Sequence, residues 1–473
     1  MAISSLLGIA QRALLASETA LGVVGNNIAN VNTPGYTRQV PDLESDPSSV
    51  TAQGVLVGTG VHVAAVRQVL DPLLEKRLLG AETERRQQGA VRDQLSALAS
   101  VLNELDQPSL GDAVDGFFAA ADALARNPGG AAERETLLGQ ARTLADQLQQ
   151  RSAAVAALQR GTDDAYVAAT THANDALGRI ADLNRAITAA EAGGERANDL
   201  RDRRRTALTD LAGVIGIQTV ETRDGAVTVS AANGAVLVDG GAVVHPIALR
   251  EQGAGLDGQA LHEAGLADGT GGFIAAPAAF ASGELAALAG VRDGDLVAAS
   301  SDLDTFASTL IGEVNRIQTN AGAGAVDLDG GSTATVPLFG GTDARTITVL
   351  LTGADAGRKI GAALSTDPGD NQNALNLADL RTRTQAALGN ATFSGHLADL
   401  TGAVGEGAAR ARDTAQASEA LQQQLQNQRD SFSGVNLNEE LSNLLRYQRA
   451  FQASAEAMNV ANQILDELMS VIR

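Results

Sequence analysis

The chain has no cysteine and no tryptophan, and aromatic residues make up only 3% of its 473 residues. Without cysteine there is no disulfide, no thiolate nucleophile, no iron–sulfur cluster and no cysteine-based zinc site. That absence suits a protein that must cross unfolded into an oxidising space. With so few aromatic rings a thick aromatic core is excluded, and the abundance of Ala and Leu favours long, thin helical packing instead. There is no run of about 18 apolar residues, so no membrane-spanning helix is expected. Gln11, Arg12 and Glu18 interrupt the first apolar stretch too early for a conventional cleaved signal peptide. Basic residues are outnumbered, 35 Lys and Arg against 56 Asp and Glu, for a net charge of −21. That balance argues against nucleic acid and against an anionic membrane surface, and suits solubility. Histidine is scarce too. His62, His172, His245, His262 and His396 are too dispersed, and too far from suitably spaced carboxylates, to make a metal site.

What is present is heptad order at both ends. Ile3, Leu7, Ala10, Leu14, Ser17, Leu21, Val24 and Ile28 recur at alternating steps of four and three, which predicts one seam of an amphipathic helix ending after Asn30. Asn32-Thr33-Pro34-Gly35 then predicts a type II turn. At the other end Leu437, Leu441, Leu444, Gln448, Phe451, Ala455, Met458, Asn462, Leu465, Met469 and Ile472 keep the same alternation, and Asn436 with Glu439 predicts a capping box at its start. At about 1.5 Å per residue each terminal helix spans on the order of 40–50 Å. Two uses are open to such ends: pairing within one chain, or packing between copies. Gln448 and Asn462, polar members of the seam, could set register between helices.

Between the ends, Asp71-Pro72 predicts a helix start, and Val91, Leu95, Leu98, Leu102 and Leu105 continue that helix before Pro108. Glu133 to Ala192 reads as helix almost throughout, with Leu137, Ala141, Leu144, Leu148, Arg151, Val155 and Leu158 on one seam. Short alternating runs divided by Asp224-Gly225 and Asn233-Gly234 predict hairpins after Gly216. Residues 284–318 return to helix, 321–370 form a Gly- and Thr-rich insert, and helices resume near Asn376 with a loop at Thr392–His396. The fold class expected is therefore mainly α with inserted β: a long helical bundle or coiled-coil rod built from the N- and C-terminal parts, with a small β-rich domain in the middle.

Candidate chemistry is thin. Gly253-Ala254-Gly255-Leu256-Asp257-Gly258 fits the bare dinucleotide fingerprint but has no βαβ context and reads as a loop. Asp327-Leu328-Asp329-Gly330 begins like a calcium loop, yet Leu338 stands where the twelfth-position Glu is required. Arg201 to Arg205, balanced by Glu195, Asp199, Asp202 and Asp210, read as a solvated helix face. No nucleophile is placed with a base. No catalytic, cofactor or metal residue is nominated, and the chain is not read as an enzyme.

Two long motifs carry a resemblance. Asn26-Asn27-Ile28-Ala29-Asn30-Val31-Asn32-Thr33-Pro34-Gly35-Tyr36-Thr37-Arg38-Gln39 resembles the N-terminal signature of flagellar rod, hook and hook-associated proteins. Ser433-Gly434-Val435-Asn436-Leu437-Asn438-Glu439-Glu440, followed by Leu445-Arg446-Tyr447-Gln448-Arg449-Ala450-Phe451-Gln452-Ala453, resembles their C-terminal signature. With Asn198-Asp199-Leu200-Arg201-Asp202-Arg203-Arg204 in the central helices, the chain is most similar to the hook-associated protein 1 (FlgK) family, the first hook–filament junction family. The resemblance spans nearly the whole chain and is weakest at about 321–370.

The resemblance implies a structural subunit that joins hook to filament as a homo-oligomeric ring in the flagellar axis. The implied partners are the chain itself, the hook protein, the second hook–filament junction protein and a cytoplasmic export chaperone holding the C-terminal segment. The implied place is the extracellular flagellum, reached by type III export without a cleaved signal peptide. Residues 1–40 with 430–473 are expected to form the assembly domain, 65–212 with 283–320 and 371–429 the elongated helical bundle, 213–282 the β-rich insert and 321–370 a short variable insert. The assembly residues nominated are Leu7, Leu14, Leu21, Val24, Asn26, Asn27, Ile28, Asn30, Pro34, Gly35 and Tyr36 at one end, and Val435, Asn436, Leu437, Leu441, Leu444, Tyr447, Gln448, Phe451, Met458, Leu465 and Met469 at the other. The competing readings are a hook or distal-rod protein, and a secreted binding module on a helical stalk.

Overall fold

The structure is a computed structural model and describes residues 2–50, 56–102, 109–194 and 196–471. Leu105, Pro108, Glu195 and Ile472 lie outside the described residues, as does the side chain of Ile3. In chain order the helices are α1 (Ala2–Ala29), α2 (Pro72–Leu102), α3 (Leu110–Arg126), α4 (Ala131–Glu191), α5 (Asn198–Val214), α6 (Glu284–Gly290), α7 (Leu296–Gln318), α8 (Gln372–Asp379), α9 (Phe393–Ser433) and α10 (Leu437–Val471). An antiparallel arm of β1 (Gln39–Ser45), β2 (Ser49–Val50), β3 (Leu56–Val57) and β4 (Val61–Gln68) follows α1. After α5 come a four-stranded antiparallel meander, β5 (Ile217–Glu221), β6 (Val227–Ala231), β7 (Val236–Asp239) and β8 (Ala242–Val243), and a three-stranded sheet, β9 (Ile247–Ala254), β10 (Ala260–Ala267) and β11 (Phe273–Ala275). A small pair, β12 (Phe339–Gly340) and β13 (Thr348–Val349), follows α7.

Local chemistry accounts for several boundaries. The Asp71 carboxylate accepts from the backbone N–H groups of Leu73 (2.9 Å) and Leu74 (3.3 Å) and opens α2. Ser109 and Asp112 form a reciprocal capping box that opens α3. Helix α4 runs for 61 residues, about 90 Å at 1.5 Å per residue. Its predicted seam is buried from Leu137 to Val155 with Leu158 half-buried, and the one charged member, Arg151, donates to the Val101 carbonyl at 3.1 Å.

Two separate apolar cores lie along α4. The first gathers α3, the first half of α4, α7, α8 and the start of α9. The scarce aromatics concentrate here: Phe118 and Phe306 both pack on Phe393, at 5.8 and 5.5 Å, and Phe117 bridges Phe118 and Phe339. Leu338, Phe339, Ile347, Leu351 and Ile360, from the Gly- and Thr-rich segment, are buried in the same core. The second core joins the far half of α4 to α5, α6 and the sheets. Helices α1 and α10 pack side by side, as do α2 and α9.

Three local expectations need correction. The break expected at Thr392–His396 lies just before it: Thr392 is the N-cap of α9, its hydroxyl accepting from the Gly395 N–H at 3.0 Å, and Phe393 onward is helical because Phe393 is locked into the first core. The loop expected at Gly253 to Gly258 starts two residues late: Gly253 and Ala254 end β9, and residues 255–258 form the loop into β10, with Gly253 and Gly258 at positive φ. The box at Asn436 is half-formed. Asn436 caps Asn438 at 3.0 Å, while Glu439 turns away to pair with Arg38 at 2.7 Å.

Candidate assembly site

The turn after α1 is where the two ends meet. Tyr36 N–H donates to the Thr33 carbonyl at 3.2 Å across Pro34 and Gly35, and Gly35 sits at φ 81°, as the third position of a type II turn requires. A Cβ on Gly35 would also approach the Thr206 hydroxyl at 3.2 Å. Gly35→Ala is therefore expected to lower stability by about 1–2 kcal/mol, read as a drop in the thermal unfolding midpoint. An unchanged midpoint would mean the turn is not under that constraint.

The turn directs Tyr36 to Gln39 into a buried polar node. Asn27, 1% exposed, donates to the Gln39 carbonyl (2.8 Å) and to the Glu440 carboxylate (3.1 Å). The Asn27 side-chain oxygen accepts from Tyr36 O–H (2.9 Å) and from Gln39 N–H (3.0 Å), so both ends of the amide are used. Glu440, also 1% exposed, accepts from Arg38 Nε at 2.8 Å, and Arg38 N–H donates to the Ser433 carbonyl at 2.9 Å. Burial, and then the carboxylates of Asp199, Asp202 and Glu440, hold the Tyr36 phenol well above its ordinary pKa, so it stays a donor.

The central helices enter the same node. Thr37, fully buried, donates its N–H (3.1 Å) and its hydroxyl (2.9 Å) to Asp202 of α5. Gln68 of β4 donates to the same carboxylate at 2.7 Å, and Asn198 donates to the Val66 carbonyl at 2.9 Å. Arg205 also bonds Asp202. Arg429 of α9 pairs with Glu75 of α2 at 3.0 Å and reaches the Thr37 hydroxyl at 3.5 Å. One cluster thus ties α1, its turn, the arm, α2, α5, α9 and α10.

Arg201 to Arg205 are accordingly not a solvated face. Asp202 and Arg204 are buried, and of the five only Arg203 is exposed. Arg204 donates to the Asn184 side chain (2.9 Å) and the Gly225 carbonyl (2.6 Å), and burial pushes its pKa down to about 10. Arg201 is held between Glu191 (2.7 Å) and Glu221 (2.6 Å). The charges survive burial because each has a partner.

The nominated residues divide into two groups. Val24 and Asn27 are buried in this chain, and Leu7, Leu14, Leu21, Ile28, Asn30, Gly35 and Tyr36 are half-buried, whereas Asn26 and Pro34 are exposed. On α10 the face turned to α1 is Glu440, Leu444, Tyr447, Phe451, Ser454, Met458 and Ala461, again at steps of four and three. Val435 is half-buried just before the helix, and Asn436 is exposed. Other members of the expected seam are exposed: Leu437, Leu441, Gln448, Asn462, Leu465 and Met469. Leu441 is 49%, Leu445 53% and Met469 63% exposed. The pairing within one chain is thus present, and α1 covers one face of α10 while leaving apolar side chains uncovered elsewhere on that helix. Thr37, Gln39, Asp202, Glu75, Arg429 and Glu440 were not nominated from sequence. The only signal was that four of them fall inside or beside the quoted motifs.

The family model for the helical domain of flagellar hook-associated protein FlgK matches residues 95–339, more than half of the chain. The chain belongs to the FlgK family of flagellar hook-associated proteins. It is a structural component of the flagellum, of the hook-associated junction kind, and its family is a structural one not known for enzymes. Both ends match as well: residues 7–37 the flagella basal body rod protein family, and residues 426–471 the C-terminal family of the basal body rod FlgEFG proteins. Flagellar hook-associated protein 1 of Escherichia coli (strain K12) is 26% identical over 548 residues, covering 99% of this chain and all of that protein. Its counterpart in Bacillus subtilis (strain 168) is 24% identical over 506 residues, covering 99% of this chain and 98% of that protein. The flagellar hook junction protein FlgK from Burkholderia pseudomallei shares the fold, with a TM-score of 0.63 at 15% identity over 76% of this chain and all of that one. The mainly helical architecture with a central β region is thus the FlgK fold. Among the described residues no helix is long and apolar enough to cross a membrane.

Proposed function

We propose that the chain joins hook to filament as a ring of identical subunits, held together by the outward faces of its terminal helices. The observation that carries this reading is the exposure of Leu441 and Leu445 on a side of α10 that α1 leaves uncovered, and of Ile464, Leu465, Leu468 and Met469 past Ala461, the last buried position of the covered stripe. Burying one such side chain against a neighbouring copy is worth about 1.5–3 kcal/mol, so a ring gains what a single chain leaves unused. In this reading residues 1–40 with 430–473 form the assembly domain, and the polar node sets the angle at which it leaves the rest of the chain. The hook protein lies on one side of the ring and the second junction protein on the other. Before export a cytoplasmic chaperone covers the C-terminal segment, and the chain leaves the cell with its N-terminus uncleaved to sit outside it.

Deleting the gene from a motile strain tests the reading. Hooks without filaments, with flagellin shed into the medium, are the expected result. Missing hooks would move the chain to the rod or hook, and normal filaments would remove it from the junction.

A further inference from the structure

The boundary between the two cores is polar. Along α4 the apolar seam stops at Leu158 and resumes at Ala165. Between them Gln159, Thr162 and Asp163 are buried. Gln159 donates to the Arg292 carbonyl at 3.0 Å, and Thr162 donates to Gln94 of α2 at 2.8 Å. Asp163 pairs with Arg292 and His262, and the Arg292 guanidinium lies over the Tyr166 ring at 5.0 Å. At the same level the link from α6 to α7 is a π-helical turn, Val291–Asp295. A cleft of about 570 Å³, lined by Gln159, Tyr166, Leu256, Phe280, Arg292 and Val297, opens on one side of this waist.

Three helical strands crossing the waist carry glycine there: Gly89 in α2, Gly161 in α4, and Gly290 and Gly294 around the π turn. A Cβ at any of these four would meet nothing within 4 Å, so packing does not demand glycine. Glycine in a helix interior costs roughly 0.5–1 kcal/mol relative to alanine. Other helical glycines, such as Gly80 and Gly178, are equally open but stand beside the second core, not in the polar layer. Interlocked apolar side chains resist the sliding of helices. At the waist that interlock is interrupted, and glycines and π turns are where helices bend.

We propose that the chain flexes at this waist, the two cores turning as units about the Asp163–Arg292 contact while the cleft opens and closes. The pivot holds because Arg292 also donates to the His262 carbonyl (2.7 Å) and pairs with Asp293 (2.7 Å), fastening α4, β10 and the π turn at one point. A subunit of a junction would thereby carry compliance within itself, in addition to any sliding between subunits.

The absence of cysteine makes the test direct. Spin labels at Ser308→Cys and Thr171→Cys, both exposed and on opposite sides of the waist, report the distance distribution between the cores in the full chain. Gly89→Ala with Gly161→Ala is expected to narrow that distribution, and Gly80→Ala with Gly178→Ala, on the same two helices, to leave it unchanged. Equal narrowing by both pairs would overturn the proposal. So would a parent distribution no broader than that between Ser308→Cys and Thr143→Cys, which both lie beside the first core.

Discussion

Replacing Glu440 with alanine is expected to cost the folded chain about 3–5 kcal/mol and to leave cells without filaments. Glu440 is 1% exposed and accepts from Asn27 of α1 and from Arg38 after the turn. Its removal leaves one N–H of the buried Asn27 amide without an acceptor and leaves the Arg38 guanidinium with only the exposed Glu439 as a carboxylate partner, and the amide cannot recover water without opening the contact between α1 and α10. Glu440→Gln keeps the shape and one acceptor, so its loss should be smaller. Arg38→Ala combined with Glu440→Ala should cost less than the two single changes added, because both single changes remove the same Arg38–Glu440 contact. Denaturant unfolding measures the stabilities, and a swimming assay in the deletion strain measures function. Parental stability together with normal swimming would remove the node from the assembly site.

The second large effect separates assembly from folding. Leu441→Lys with Leu445→Lys is expected to leave the isolated chain's stability within about 0.5 kcal/mol of the parent, because both side chains already stand in water. The same pair should abolish assembly. Two ammonium groups would have to be desolvated where two leucines would have been buried, and the loss is cooperative around a ring. Complementation of the deletion strain, with recovery of the variant from the medium, reads the outcome. Filaments built with this variant would show that the outward face of α10 is not the contact between copies. A melted variant would place those leucines in the fold of the single chain instead.

These effects arise at positions of unequal legibility in the sequence. The heptad steps of α1 and α10, the Pro34-Gly35 turn, the Asp71-Pro72 start of α2 and the long seam of α4 were all readable, because each depends on residues within a few positions of one another. The strands β9 to β11 were less so. Ala260-Leu261-His262-Glu263-Ala264-Gly265 has no clean alternation, and its burial comes from α4 packing over it. The heptad pattern of α10 also left its inward face open. Leu444, Phe451 and Met458 belong both to the stripe through Tyr447 and to the stripe through Leu441, and only the placement of α1 selects between them.

Composition and periodicity by themselves determined that this is a long, helical, cysteine-free and acidic chain with a coiled-coil pattern at each end, because absent residue types and short-range spacing need no third dimension. What only the tertiary structure decided is which polar residues are spent inside. Thr37 meets Asp202 across 165 residues and Arg429 meets Glu75 across 354. A row of charges such as Arg201 to Arg205 has the same pattern whether it faces water or is buried. The cost of desolvating a charge is settled by the partner that the fold brings to it, and that partner is not a neighbour in the chain.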